Sequence, residues 1–578
     1  MPSAREIFLR LQNKRLKNAL TLLRSREFIS FFTKSFSFAL KILFKKQVAL
    51  PYEQWRKNWV ELDQKDRDYI ASKISQIKSS QTFAFFMNVE SSSKDLIEES
   101  IESLNSQLYS NWHLCLCVNA ENRKLAKSIL KNTDNRVSIF EPSQQMSKDW
   151  SSRITPGDLL HEAALSSIVL SLEKSPQAEI IYTDNDHLNK NGKFIDPHMK
   201  PDWNSELLQG MNYLTSLTIF KKNLWEEHFL HASNHKLAIS ASSQLKSDQI
   251  LHLPFILSTI RVQDDKKHLD LPFTDVNYKL YDPEPLVSVL IPTRDKGRML
   301  KKCITSLLEK TSYRNFEVII IDHESKEKKA QKFIKSFNKN PKFQITEFKG
   351  DFNFSAMINK AVEISSGDIL VLLNNDIEII DSTWMTKLVS QISRINIGVV
   401  GAMLLFPDMT IQHAGVHPGM EGFMGHGHKH LPSSSGGYFN RLKVPHEVAA
   451  VTGACMAVKK KTFVELGGLD ETSLPVAYND IDFCFKARDK NLKIILDPNI
   501  RLLHHESASR GMDLGKKKKY RLRKELSIMQ DRWGSLLEID PAYSLNLIND
   551  GQSFTLADTP RVNTNGIFAH KINSNETT

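Results

Sequence analysis

The sequence predicts an α/β protein with two similar domains in tandem, preceded by a basic helical segment. Three observations predict this. A strand–helix alternation begins near Thr82, a proline-rich stretch Tyr281-Asp-Pro-Glu-Pro-Leu286 interrupts it, and the same alternation restarts directly afterwards. At 578 residues the chain is also too long for a single core.

Residues 1–50 carry eleven basic side chains against Glu6 and Glu27, a net +9 of the chain's formal +11. The rest is nearly neutral, so the charge marks one basic appendage and excludes a general nucleic-acid binder. Between Phe28 and Phe44 the appendage is rich in apolar residues, but Lys34 and Lys41 interrupt the run before it can span a bilayer. A basic amphipathic helix lying on an anionic membrane surface fits this pattern, and so does a solvated helix whose phenylalanines pack on the next domain. The start, Met-Pro-Ser-Ala-Arg-Glu, lacks the apolar core of a signal peptide. Five scattered cysteines without a CxxC pair indicate neither zinc nor a disulfide framework. The expectation is a cytoplasmic protein, peripheral on the inner face of a membrane where residues 1–50 touch lipid.

Residues 51–80 read as helical, and then Phe83–Val89 as a strand, Asp95–Gln107 as a helix and Trp112–Val118 as a strand. After the proline-rich boundary, Val287–Pro292 reads as a strand, Gly297–Lys310 as a helix and Phe316–Asp322 as a strand. The stretch from Ile101 to Leu116 resembles that from Ile304 to Ile319, a repeat too widely spaced for a solenoid and therefore a duplicated domain. The expected boundaries are a basic segment 1–80, a first domain 81–280, a second domain 281–545 and a tail 546–578, disordered beyond Val562. Strands alternating with helices imply a mainly parallel sheet, with ligands bound beyond the strand C-termini.

In the second domain three apolar strands end in polar residues: Val287-Ser-Val-Leu-Ile-Pro-Thr-Arg-Asp295, Val318-Ile-Ile-Ile-Asp322 and Ile369-Leu-Val-Leu-Leu-Asn-Asn-Asp376. Each is by itself compatible with a plain turn, but three in succession point to one crevice. Ala477-Tyr-Asn-Asp-Ile-Asp482 places two carboxylates at a helix start, where an N-cap is the ordinary reading. Ile500-Arg-Leu-Leu-His-His505 ends a strand in two histidines, either metal ligands or ordinary strand-end residues.

From Pro285 to Gly511 these words, in this order, resemble family 2 glycosyltransferases with the GT-A fold, and in particular bacterial tandem-domain members of the rhamnosyltransferase-like type. Phe352-Asn-Phe-Ser355, Gln412-His-Ala-Gly415, Val451-Thr-Gly-Ala-Cys455 and His504-His-Glu-Ser-Ala-Ser-Arg-Gly511 complete the match. The resemblance implies that Pro292, Thr293, Arg294, Asp295 and Asp322 hold the nucleoside, with Asn374 and Asn375 beside it. Asp376 would bind Mg²⁺ or Mn²⁺ bridging the donor diphosphate, with His504 as a further ligand and His505 as the fallback. Asp480 would be the general base of an inverting transfer from a dTDP-, UDP- or GDP-sugar to a glycan or lipid-linked acceptor, in O-antigen or capsule synthesis. The sugar would be a hexose or deoxyhexose, rhamnose among them. The chain departs from the family pattern in Asp322-His-Glu-Ser325, in Asn374 for the first Asp of Asp-x-Asp, and in Asn479 for the commoner Glu.

Residues 82–262 resemble the N-terminal domain of the same proteins. Asp184-Asn-Asp186 imitates a metal motif, yet in the relatives the metal-binding cluster ends an earlier strand, which here reads Ser151-Ser-Arg-Ile-Thr-Pro-Gly-Asp158. Ile239-Ser-Ala-Ser-Ser-Gln244 stands where the base motif is expected, so this copy reads as non-catalytic. The histidine-rich run His413–His430 reads as a mobile loop rather than a zinc site. Lys516-Lys-Lys-Lys-Tyr-Arg-Leu-Arg-Lys524 leads into a helix containing Trp533, as a solvated face or a contact for phosphate or lipid headgroups. The competing reading of the whole chain is a non-catalytic scaffold of a glycan-assembly complex.

Overall fold

The computed structural model describes residues 50–89, 94–140, 148–228, 233–262, 271–279, 281–505, 516–549 and 554–562. The basic appendage, and with it the expected membrane helix, lies outside the described residues. Among the described residues no helix is long and apolar enough to cross a membrane.

Two sheets organise the chain. Across the first, the strands run Val137–Ile139, Trp112–Cys117, Phe83–Asn88, Trp150–Arg153, Thr218–Lys221, Ile180–Leu188, Ile250–Arg261 and Leu159–Leu160. Across the second they run Phe343–Glu347, Phe316–Asp322, Val287–Thr293, Ile369–Leu373, Cys455–Lys459, Ile397–Leu405, Lys493–His504 and Ile377–Ile379. Position by position the two orders coincide. In each, the first four strands are parallel and the fifth is antiparallel to both neighbours. In each, the sixth and seventh are parallel and the eighth is antiparallel.

The second sheet is buried on both faces, which explains its near-continuous apolar strands. Val287, Val289 and Ile291 pack with Ile304 and Leu307 of the helix Gly297–Lys310 on one face. Leu290, Ile319 and Leu370 pack with Met357 and Ile358 of the helix Phe354–Ile364 on the other. This period-two division is what a strand demands, and burying each such side chain is worth about 1.5–3 kcal/mol.

The halves are joined by polar contacts and by the C-terminal segment. Glu206 of the first pairs with Arg394 at 2.6 Å and Lys493 at 3.0 Å of the second. Residues 540–549 and 554–562 run between the halves: Asn546 donates to Asp184 Oδ2 and to the Pro254 carbonyl, while Trp55 and Trp59 donate to the carbonyls of Ala557 and Asp558. Much of the stretch expected as a tail from 546 is therefore packed, with Leu547 and Val562 buried.

Candidate active site

The parallel strands Val287–Thr293, Phe316–Asp322 and Ile369–Leu373 deliver Thr293, Asp322 and Asn374–Asp376 to one sheet edge, with Thr293 in register with Asp322. Asn375 donates from Nδ2 to Thr293 Oγ1 at 2.8 Å, stitching the two turns together. Pro292 is half-buried, Thr293 buried and Arg294 exposed. Asp295 has a left-handed φ of 53°, and its Oδ1 accepts the amides of Lys326 and Glu327 at 2.6 and 2.7 Å. Those amides, Glu327 first, hold its carboxyl below the usual range. Asp295 thus latches its loop to the loop after Asp322.

Asp322 is half-buried and its Oδ1 accepts the Ser325 amide at 3.2 Å. The unusual His323 is fully buried, with Nε2 on the Gly350 carbonyl at 2.8 Å and ring contacts to Phe348 and Phe352. It anchors the loop that leads into Phe352-Asn-Phe-Ser355. The departure from the family word therefore has a local packing role.

Asp376 is buried, and its Oδ1 lies 3.2 Å from His504 Nε2. The other ring nitrogen of His504 contacts Gln412 Oε1 at 2.6 Å. An amide oxygen only accepts, so Nδ1 carries the proton. With Nδ1 on the Gln412 oxygen, Nε2 is left facing the carboxylate, an arrangement that a shared cation would satisfy. Two atoms about 3 Å apart suit neighbouring ligands of a small hard cation with bonds near 2.1 Å. Among the described residues no group of three His, Cys, Asp or Glu side chains converges as a metal site. A cation held by a single carboxylate and completed by waters and substrate phosphates is a known pattern for Mg²⁺, and Asp376 supplies that carboxylate. The His505 amide donates to the Asp376 carbonyl at 3.0 Å, but its ring points to Glu378 at 3.0 Å and Lys302 at 3.3 Å, so of the two rings only that of His504 meets the Asp376 carboxylate. The word's remainder, 506–511, lies outside the described residues.

Asn374 is half-buried, and its amide donates to the Ala454 carbonyl at 3.0 Å. The preceding amide, of Gly453, donates to Asp480 Oδ2 at 2.8 Å. One short segment thus ties Asp480 to the Asn374–Asp376 turn. Asp480 is half-buried in the first turn of the helix Asn479–Asp489, with Oδ1 on the Ile481 amide at 2.9 Å. The N-cap is Tyr478, in the left-handed region at φ 60°, so Asp480 is not the cap. Asn479 is buried and donates to Ser355 Oγ at 3.0 Å, while Ser355 itself donates to the Leu474 carbonyl. Asp482 is taken by Arg532 at 2.7 Å and by Trp533 Nε1 at 3.0 Å. Of the paired carboxylates only Asp480 remains beside the crevice.

The histidine-rich run forms a hairpin, Val416–Pro418 with Met424–His426, rather than the expected mobile loop. His413 is buried with its Nδ1 2.9 Å from His426 Nδ1, and burial holds its pKa well below the ordinary histidine value. His417 meets Asp540 at 2.6 Å, a pairing across 123 positions that no local signal announces.

The first half lacks this arrangement. Its counterpart of Ile397–Leu405 is Ile180–Leu188, so Asp184 and Asp186 sit inside a strand, not at the place of Asp376. Asp186 accepts from Tyr52 at 2.7 Å, Arg56 at 3.0 Å and Thr259 at 2.5 Å. Asp184 accepts from the Lys200 amide at 2.8 Å and contacts His252 Nε2 at 2.9 Å. The counterpart of Asp376 is Asp158, directly before the short strand that pairs with the last long one. The counterpart of the Asn479–Asp489 helix is Asn234–Ser242, so the position matching Asp480 falls near His235, earlier than the expected Ile239–Gln244.

A sequence model of glycosyl transferase family 2 matches residues 288–467. Over 571 residues the chain is 32% identical to uncharacterized protein y4gI of Sinorhizobium fredii (strain NBRC 101917 / NGR234), covering 89% of this chain and 63% of that protein. It is 27% identical to the O-antigen biosynthesis protein RfbC of Myxococcus xanthus, over 74% of this chain and 37% of that one. The chain thus spans less than two thirds of either relative's length. Two solved structures resemble part of it, each at 14% identity. GalNAc-T7 with UDP, GalNAc and Mn²⁺ matches 44% of this chain and 49% of its own at a TM-score of 0.35. The mannosyltransferase PcManGT from Pyrobaculum calidifontis, in complex with GDP-Man and Mn²⁺, matches 43% and 64% at 0.32. The family match coincides with the half that assembles the crevice: residues 288–467 carry the sequence pattern of glycosyl transferase family 2, and the unit that holds them is preceded by one of the same strand order.

Proposed function

We propose that the chain transfers a sugar, with inversion, from a nucleoside-diphosphate donor to a glycan or lipid-linked acceptor during bacterial surface polysaccharide assembly. One observation supports the proposal most: Asp480 is held by the Gly453 amide, one residue before the Ala454 carbonyl that bonds Asn374, so its carboxylate belongs to the same neighbourhood as the turn bearing Asp376, as a base reading requires. The matched O-antigen biosynthesis protein supports the polysaccharide setting.

In this reading Asp322 and the loop Pro292–Asp295 receive the nucleoside, Asp295 acting by holding the loop in shape. Asn374 and Asn375 line the floor between nucleoside and diphosphate. Asp376 and His504 hold a divalent cation, which when bound offsets charge on the diphosphate. Asp480 accepts the proton of the acceptor hydroxyl as its oxygen bonds to the anomeric carbon, the bond to the diphosphate breaks, and the nucleoside diphosphate departs. Gly453 keeps Asp480 aimed, and Asn479 with Ser355 fixes the helix start that carries it.

The test offers purified full-length protein UDP-, dTDP- and GDP-sugars with Mn²⁺ or Mg²⁺ and follows donor hydrolysis and transfer. Turnover with at least one donor, abolished by EDTA, is expected. Neither binding nor turnover with any donor would overturn the proposal.

A further inference from the structure

The helix Lys516–Trp533 has two unlike halves. Its second half is built into the catalytic domain: Glu525 is buried and accepts the Ala477 amide at 3.0 Å, and Arg532 holds Asp482 and Asp470 at 2.7 and 2.8 Å. The same half therefore braces the helix that carries Asp480. The first half turns inward only at Arg521, which lies 3.8 Å from Glu525. Lys517, Lys518, Lys519, Tyr520, Leu522, Arg523 and Lys524 are all exposed, Tyr520 at 74% and Leu522 at 45%.

The arrangement on the helix is directional. At 100° per residue, Lys517, Arg523 and Lys524 stand three behind, three ahead and four ahead of Tyr520, and so surround it. That face lies roughly opposite Glu525, which points into the protein. A charge run that merely solvates a helix has no use for a large aromatic ring at its centre. An exposed ring with a polar tip, encircled by long cationic side chains, is the chemistry of anchoring at a lipid–water boundary. The positive charge is complementary to anionic headgroups.

We propose that this helical tip docks the catalytic domain on an anionic lipid bilayer, with Tyr520 entering the headgroup layer and the surrounding lysines and Arg523 meeting phosphates. Because the other end of the same helix braces Asn479–Asp489, docking holds the crevice close to the bilayer surface. The inference concerns residues 517–524, independently of the basic segment 1–50, and needs no turnover to be tested.

The experiment uses the full chain, a Cys117→Ser background and an environment-sensitive fluorophore on Tyr520→Cys. Vesicles are phosphatidylcholine alone or with about 30% phosphatidylglycerol. A blue shift and intensity gain with the anionic vesicles only, reversed by about 0.5 M NaCl, are expected. Joint Lys517→Gln, Arg523→Gln and Lys524→Gln substitution should weaken that response about tenfold or more. The same label at Ile395→Cys, a site 86% exposed outside this helix, should stay silent. The proposal fails if the label at 520 ignores anionic vesicles, answers neutral ones equally, or answers a nucleic-acid duplex in their place.

Discussion

The two halves of this chain fold alike and use their carboxylates in opposite ways. In the second half Asp480 rests on backbone amides, and Asp376 faces His504 at 3.2 Å. In the first half Asp184 and Asp186 are enclosed by His252 and Thr259 of the neighbouring strand and by Tyr52, Arg56 and Asn546 from distant parts of the chain. A carboxylate held by amides keeps its shape while leaving its charge available. One surrounded by side chains from distant segments becomes a fastener. The strand order is thus shared, and what separates the halves is which partners surround the acids.

The sharpest way to break this comparison is Asp480→Asn. The substitution keeps the Gly453 contact through the amide oxygen but removes the base, and transfer should fall about 10²–10⁴-fold with nucleotide binding retained. Rates measured on protein whose circular dichroism and nucleotide affinity are unchanged decide it. Activity surviving in that variant would remove Asp480 from the chemistry.

Next in size is Asp186→Ala, which should cost stability on the order of 3 kcal/mol, because Arg56 is left without its buried carboxylate. Denaturant midpoints measure the loss. Turnover per folded molecule should stay within about twofold, as expected of surface-independent stability changes away from a site. A collapse of turnover in folded protein would mean that the first half takes part in catalysis.

Gln412→Leu tests the crevice more gently. Without the oxygen that fixes the His504 ring, the half-saturating Mn²⁺ concentration should rise about 10–100-fold, the usual effect of losing such an orienting partner. Maximal turnover at saturating Mn²⁺ should be largely restored. An unchanged metal requirement would sever His504 from the cation.

These differences explain what sequence alone made legible. The strands Val287–Thr293 and Phe316–Asp322 were readable because a sheet buried on both faces needs unbroken apolar runs, and their ends then mark the crevice. Asp480 was readable as a residue but not as a geometry, since the amide that aims it belongs to Gly453, 27 positions away. The packing of residues 540–562 was not readable. Their polar composition looks like a tail, and the tryptophans that hold Ala557 and Asp558 lie some five hundred residues earlier. The buried histidines are illegible for the same reason: Gly and Ser neighbours suggest mobility, while Asp540 and the hairpin supply the partners.

The finest contrast sets Asp158 against Asp376. Both precede the short strand that pairs with the last long one, and both are buried. Asp376 has a histidine at 3.2 Å, and Thr259 stands at the equivalent position opposite Asp158. Burial pushes the Asp158 carboxyl up to about 7, opposed only in part by the Arg261 amide. A raised carboxyl pKa makes the folded state hold its proton longer than the unfolded chain does. The stability it contributes is therefore complete below the unfolded value near 3.9 and is lost as pH rises towards about 7. Asp158→Asn keeps an acceptor for the Arg261 amide and cannot ionise, so the variant should gain on the parent between about pH 4 and pH 7. The gain should be on the order of 1 kcal/mol, since local opening lets water reach the ionised group before the full penalty develops. Paired thermal melts at a series of pH values give the difference directly. A constant offset across that range would show that Asp158 ionises normally, and would leave the first half with a charged acid at the very position where the second half is proposed to bind its cation.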